Sequence, residues 1–370
     1  MTRYFALTAA ALMLAVFAGC GGGDPDTTEA PSISQGRWAH TATLLEDGRV
    51  LIVGGNMSAS GKLDSAEIYD PASGTWSSAG SMSDKRGEGH TATLLSDGRV
   101  LVFGETDEPT ADIYDPATNQ WSTVANLNFA REAASGTLLA DGRVLVAGGL
   151  DATKAGREQV DSAEIFDPAT GEWTLAASMA NVNSNHKAIL LGDGRVLLAG
   201  GMKTEIYDPE TDSWSDAGTP DRERSWGYTA DLLNDGRILV TGGVFLRGGW
   251  QGIPSAPIRN AEIYDFDTGA WERKADMNEP RGDHASALLK DGKVLVIAGS
   301  ELEMYDPGSD TWTLAGKLMT ERDLDEPLLT ATVLSDGTVL IVGGKGEVDE
   351  RARGLAAVEI YDPATFEAAE

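Results

Sequence analysis

Four histidines are the first residues in this 370-residue chain whose spacing could do chemistry. His40, His90, His186 and His284 each stand seven residues before an Asp-Gly pair, and imidazoles gathered around one axis would make a metal site. The equivalent positions in three further copies of the pattern hold Ala134, Tyr228 and Leu329. A repeated structural role therefore accounts for the spacing better, and no metal or cofactor is expected. Acids flanking an aromatic residue, Glu67 with Asp70, Glu164 with Asp167 and Glu262 with Asp265, have the composition of a general acid–base couple. They also recur, whereas a catalytic couple is needed once per domain. Acids repeated this way serve turns and strand edges as acceptors, and the Glu67 type is expected to pair with the Arg49 type on the adjacent strand. Gly55 to Leu63 falls short of a phosphate-binding loop, and neither His-Glu-x-x-His nor Gly-x-Ser-x-Gly occurs.

Composition narrows the functions further. With 29 Lys and Arg against 58 Asp and Glu the chain carries a formal charge of -29. A nucleic-acid partner would require a basic patch to displace counterions and is not expected. One cysteine allows neither an internal disulfide nor a thiolate cluster, so stability must come from packing. That cysteine, Cys20, follows Met1 to Tyr4 and an uncharged run from Phe5 to Ala18. The run is too short to span a bilayer, which takes roughly 20 residues, and fits the apolar region of an export signal.

The elements that would position any site repeat seven times. Asp47-Gly48 joins two apolar runs, and the pair returns at Asp97, Asp141, Asp193, Asp235, Asp291 and Asp336. Asp-Gly supplies the positive φ angles of a tight hairpin, which defines strands a and b. Strand b, as in Val50 to Val53, is apolar at every position, the pattern of a strand covered on both faces. A third strand ends in Tyr69-Asp70-Pro71 and its copies, and a fourth starts at Trp76, Trp121, Trp173, Trp214, Trp271 and Trp312. The seventh copy has no Trp and leaves the ring one strand short. A segment near Glu29 to Ser34 is expected to add as the outer strand of the last blade and close the ring. The fold class is all-β, a β-propeller of seven four-stranded antiparallel blades.

The double glycine after strand b, the Tyr-Asp-Pro and the spaced Trp together resemble the kelch motif, over about residues 36 to 366. The resemblance implies a kelch-type propeller. The family includes galactose oxidase, whose copper site needs a Cys cross-linked to a Tyr; here the lone Cys lies in the signal, which excludes that chemistry. Phe17, Ala18, Gly19 and Cys20 in turn resemble the lipobox of a bacterial lipoprotein signal. That implies a signal over 1–19, a flexible tether over 20–35 and a propeller over 36–370. The protein would be a monomer anchored in the cell envelope, periplasmic or at the cell surface, through lipidated Cys20; cleavage without lipidation would make it secreted.

Binding function is expected on one face of the ring. The a–b and c–d turns are uniform, whereas the b–c connections carry insertions at 56–65, 151–162, 244–260 and 345–357, and loops on a rigid scaffold are where recognition concentrates. Trp38 and Trp226 at strand-a entrances, with Phe245, Arg247, Trp250 and Gln251 in the longest insertion, are the candidate ligand-binding residues for a protein or glycan. Basic residues in the same insertions (Lys62, Lys154, Arg157, Arg247, Arg259, Lys345, Arg351 and Arg353) would suit an acidic ligand. The alternative is an exported sugar-processing enzyme of the mutarotase or epimerase kind at the channel mouth. Its mark would be a single cluster of unlike, non-repeating acids and bases.

Overall fold

The computed structural model describes residues 27–365 other than 60, 155, 201–202, 223, 246–255, 324–325 and 349–350. Its strands form seven four-stranded antiparallel blades around one axis, and no helix occurs among the described residues. In blade 1, strands a to d are Thr41–Leu44, Val50–Val53, Leu63–Asp70 and Thr75–Arg86, running from the axis outwards. Each strand a touches the next around the ring, and Thr330–Val333 of blade 7 meets Thr41–Leu44 of blade 1. The expected seven-bladed propeller is what the chain forms.

The apolar pattern of strand b explains why blades stack. Successive side chains of a strand point to opposite faces, so Leu51 and Val53 enter the cluster shared with blade 2, while Val50 and Ile52 enter the one shared with blade 7. All four are fully buried, each contributing roughly 1.5–3 kcal/mol. Seven such clusters, one per blade interface, make up the core. The strand-d Trp fastens the outer rim. Trp121 packs on Tyr114 with ring centroids 5.1 Å apart, and its Nε1 donates to the Ala79 carbonyl of the preceding blade at 2.6 Å.

Closure uses the N-terminal segment, a few residues earlier than the sequence suggested. Thr27–Glu29 pairs antiparallel with Val358–Tyr361 as the outer strand of blade 7. The chain then stays bonded to the same blade through Ala30 N to Val358 O (2.9 Å) and Ile33 N to Ala356 O (3.2 Å). Regular pairing stops before Pro31, which has no N–H to offer. The Pro31 carbonyl instead accepts from Trp76 Nε1 at 2.6 Å, filling the role that Ala79 plays for Trp121. The outer strand of blade 7 therefore includes Thr27–Glu29, inside the stretch read as tether. The export signal and Cys20 lie outside the described residues.

Candidate binding face and axial cavity

One end of the ring is chemically uniform. At each Asp-Gly turn the aspartate holds its own hairpin: Asp47 Oδ1 accepts from Arg49 N at 3.1 Å, and Arg49 Nε reaches Asp47 Oδ2 at 2.7 Å. The arginine holds the Asp47 carboxyl below its ordinary range. At the Tyr-Asp-Pro turns, Asp70, Asp115 and Asp167 each accept the N–H two residues on. These acids are turn formers, as their repetition implied. A hollow of about 350 Å³ between blades 3 and 4 at this end is lined by such turn residues.

The expected pairing of Glu67 with Arg49 does not form. Arg49 precedes strand b at the turn end, whereas Glu67 lies opposite Ile52, further towards the other end. Glu67 instead pairs with Arg37 at 2.9 Å, from the connection that leads into strand a. The arrangement repeats: Arg86 with Asp112 (3.1 Å), Arg131 with Glu164 (3.0 Å), Arg224 with Glu262, Arg281 Nε with Glu303 (3.0 Å) and Arg322 with Glu359 (2.9 Å). The partners are almost wholly buried. Each arginine also donates to a carbonyl after strand b, as Arg131 does to Gly148 O at 2.8 Å. Blade 4 is the exception. Asn183 replaces the arginine, and Glu205 accepts from the N–H groups of Ala180 and Asn181.

The histidines are clips between blades. His40 Nε2 lies 2.8 Å from Thr330 Oγ1, His90 Nε2 3.2 Å from Thr41 Oγ1, His186 Nε2 2.8 Å from Ser135 Oγ and His284 Nε2 3.2 Å from Thr229 Oγ1. In each pair the hydroxyl opens strand a of the preceding blade. The ring needs a neighbour without a side chain: a Cβ on Gly54, whose φ is 61°, would sit 2.7 Å from Arg86 O and 3.2 Å from the His90 ring. Where the preceding blade offers no hydroxyl the histidine is gone. Tyr228 faces the Lys187 blade and donates to Ala199 O at 3.0 Å, and Leu329 follows the Ala285 blade. Burial holds the imidazoles far below their ordinary pKa, to about 4 for His90 and about 3 for His186 and His284. No group of three or more His, Cys, Asp or Glu among the described residues is arranged to hold a metal ion.

The opposite end carries the insertions, and the structure redistributes the candidate residues there. Trp38 is only 5 % exposed, because its backbone bridges to Asn56 and its side chain is covered, so it offers no stacking surface. Trp226 is half-buried and paired with Val244, and half-buried Phe245 has the Arg222 guanidinium 6.0 Å from its ring centre. Arg247, Trp250 and Gln251 lie outside the described residues. Four of the basic residues are matched by acids of the same face: Lys62 by Glu105 (2.9 Å), Lys154 by Glu158 (2.9 Å), Arg157 by Glu132 and Lys345 by Glu326. The exposed apolar side chains at this end are Met57 in the first insertion and Phe129, Val182 and Met319 on the connections that lead into strand a.

At the centre of this face opens an axial cavity of about 450 Å³. One residue per blade rings it in the left-handed conformation, among them Asn185 (φ 55°) and Asp283 (φ 48°). Two residues deeper, where strand a begins, blades carry Thr41, Thr91, Ser135, Thr229, Ala285 and Thr330, but blade 4 carries Lys187. Two residues deeper again stands Asp231, where blades 1, 2, 3 and 7 have threonine. Asp283 has its pKa raised to about 7 by burial and by Glu88 and Glu326, against the pull of Lys187. Asp231 is raised to about 6, again by burial, and its Oδ2 is buried without a partner. Lys187 is exposed to the lumen, where desolvation by the surrounding strands lowers its pKa from the ordinary lysine value. The sequence reading had aligned every blade on its Asp-Gly pair. The columns one place either side of the histidines would have exposed Asp283 and Lys187 as the odd residues of their rings.

Comparison with known proteins agrees with this architecture. Among solved structures, a copper-bound fungal alcohol oxidase superposes with a TM-score of 0.73 at 19 % identity, covering 91 % of this chain and 76 % of that one. The structure of YjhT gives 0.60 at 14 %, covering 77 % and 99 %. Both likenesses concern the fold alone: the molecule is a seven-bladed β-propeller. A family model for the Kelch motif matches residues 47–83 and 134–180. Human Kelch-like protein 34 is 27 % identical over 210 residues, 53 % of this chain and 31 % of that protein. Kelch-like protein 25 of Xenopus tropicalis is 30 % identical over 165 residues, 40 % and 26 % respectively. The chain spans a minor part of the length of these relatives. With the repeated blades, these matches support the kelch-repeat reading of the propeller.

Proposed function

We propose that the protein is an exported binding module, anchored in the cell envelope through lipidated Cys20, that docks a protein partner on its insertion-bearing face. One observation carries this reading: the two ends of the ring differ. The turn end repeats the same Asp-Gly and Asp-Pro chemistry in nearly every blade, while the other end varies in loop length and exposes Met57, Phe129, Val182 and Met319. A glycan is less well supported, since burial of Trp38 removes one of the aromatic platforms it would need. Charge reversal on each face tests the reading. Phe129→Glu and Met57→Glu should abolish capture of a partner from an envelope extract, and Asp97→Lys on the turn face should leave it intact; equal loss from both faces would refute the assignment. Partition of the protein into detergent phase, lost in Cys20→Ala, tests the anchor.

The axial charges favour a second reading, the sugar-processing enzyme, because Lys187, Asp231 and Asp283 are unlike and occur once. Saturation-transfer NMR on free aldoses would detect accelerated anomer exchange; rates equal to buffer would dismiss it.

A further inference from the structure

Every charged pair inside the blades is closed by direct contact, but the charges of the axial cavity are not. Lys187, Glu88 and Asp283 all line it, and none makes an ion pair among the described residues. The other carboxylates around the mouth, Glu105, Glu132 and Glu326, each have their own cation. What remains is ordered along the axis. Glu88 and Asp283 stand nine and eight residues before their Asp-Gly turns and ring the mouth; Lys187 stands six before its turn. Two residues of strand separate the Asp283 level from the Lys187 level, roughly 7 Å at 3.3 Å per residue. Charges of both signs that face one solvent-accessible cavity without pairing are available to the complementary charges of a ligand.

We propose that the axial cavity binds a small zwitterion, its carboxylate on Lys187 and its ammonium group between Asp283 and Glu88. A single molecule of this class meets both signs of charge at the spacing the ring provides, whereas a simple anion would leave the mouth acids unmatched and a simple cation would meet Lys187. The separation of levels favours an ω-amino acid over an α-amino acid, whose two charges are too close together to reach both. The site does not depend on the loop face: the Met57 and Phe129 variants leave it intact, so failure of either proposal is read separately.

The test is calorimetric titration of the full chain with 4-aminobutanoate, butylamine and butanoate at pH 7.5. The zwitterion should bind at least tenfold more tightly than either single-charge analogue. Lys187→Met should bring 4-aminobutanoate down to the affinity of butylamine, and Asp283→Asn should bring it down towards butanoate, both variants keeping the melting temperature of the parent within a few degrees. Equal binding of the three compounds, a preference unchanged in both variants, or no heat with any of them would overturn the proposal.

Discussion

Two sets of charges in this propeller obey opposite rules. The Arg–carboxylate clamps, six among the described residues, occur in every blade but the fourth and are closed by contacts such as the 3.0 Å between Arg131 and Glu164. The axial set, Lys187 with Asp283, Glu88 and Asp231, occurs once and is held apart. Repetition with closure is what a structural fastening needs, because each interface must be secured in the same way. Singularity without closure is what a site needs, because the missing partner comes from outside. Within one fold, the pairing state of a charge thus separates the scaffold from the part available for recognition.

Removing a fastening should have the largest effect. Glu359 of the clamp in blade 7 is completed by the closing strand, whose Thr27 hydroxyl donates to it at 2.5 Å. Deleting residues 27–35 strips that donor, the outer strand of blade 7, the acceptor of Trp76 and the buried side chains of Ala30 and Ile33. Thermal unfolding should shift down by roughly 10 °C or more, given about 2–4 °C per kcal/mol for domains of 150–250 residues. An unchanged melting temperature would mean that the ring does not depend on this strand.

Next in size is a single clamp. Arg131→Met leaves Glu164 buried without its cation, and urea unfolding should show a loss of about 3–5 kcal/mol. Adding Glu164→Leu removes the stranded charge and should recover most of the loss, since an apolar pair of similar volume often replaces a buried ion pair without penalty. Recovery in the double variant identifies charge burial as the cause. If the double variant is as unstable as the single, packing and not pairing holds the interface.

Acid should set the histidine clips against the axial carboxylates. His90, His186 and His284 titrate near 6.5 when unfolded and near 3 to 4 when folded, and burial lowers His40 in the same direction, so the unfolded chain binds their protons first and stability is lost as pH falls below about 6.5. Asp283 and Asp231 run the other way. Their folded values, about 7 and about 6, lie above the ordinary 3.8, so the folded chain binds those protons first and gains stability as pH falls from 7 towards 4. Four histidines outweigh two carboxylates, and net stability should decline between pH 6 and 4.5. Each excess proton contributes about 1.4 kcal/mol per pH unit. Asp231→Asn with Asp283→Asn should steepen the decline; urea midpoints that fall no faster would show that these carboxyls titrate normally.

The same contrast explains what the sequence made visible. Continuous apolar runs, Asp-Gly turns and the Tyr-to-Trp spacing are local and repeated, so seven blades and the need for a borrowed strand could be read directly. The clamps were not, because Arg37 reaches Glu67 across 30 residues from a connection of variable spacing: arginine precedes the histidine position by three residues in blades 1, 3 and 6, four in blades 2 and 5 and seven in blade 7, and blade 4 has none. The axial site was hidden differently. Lys187, Asp231 and Asp283 lie far apart in the chain and look like ordinary surface charges until the ring brings their strands to one axis.

The smallest expected effect is therefore the most discriminating. Lys187→Met deletes a charge from the axial set just as Arg131→Met deletes one from the clamps. Here no carboxylate loses a direct contact, the lumen is open to water at its mouth, and the loss of Lys187 only lets Asp283 and Asp231 hold their protons more firmly. Stability at pH 7.5 should change by less than about 0.5 kcal/mol, the usual range for substitutions that break no packed contact. A loss of the size predicted for Arg131→Met would place Lys187 among the fastenings, and the distinction between closed and open charges would no longer mark a site.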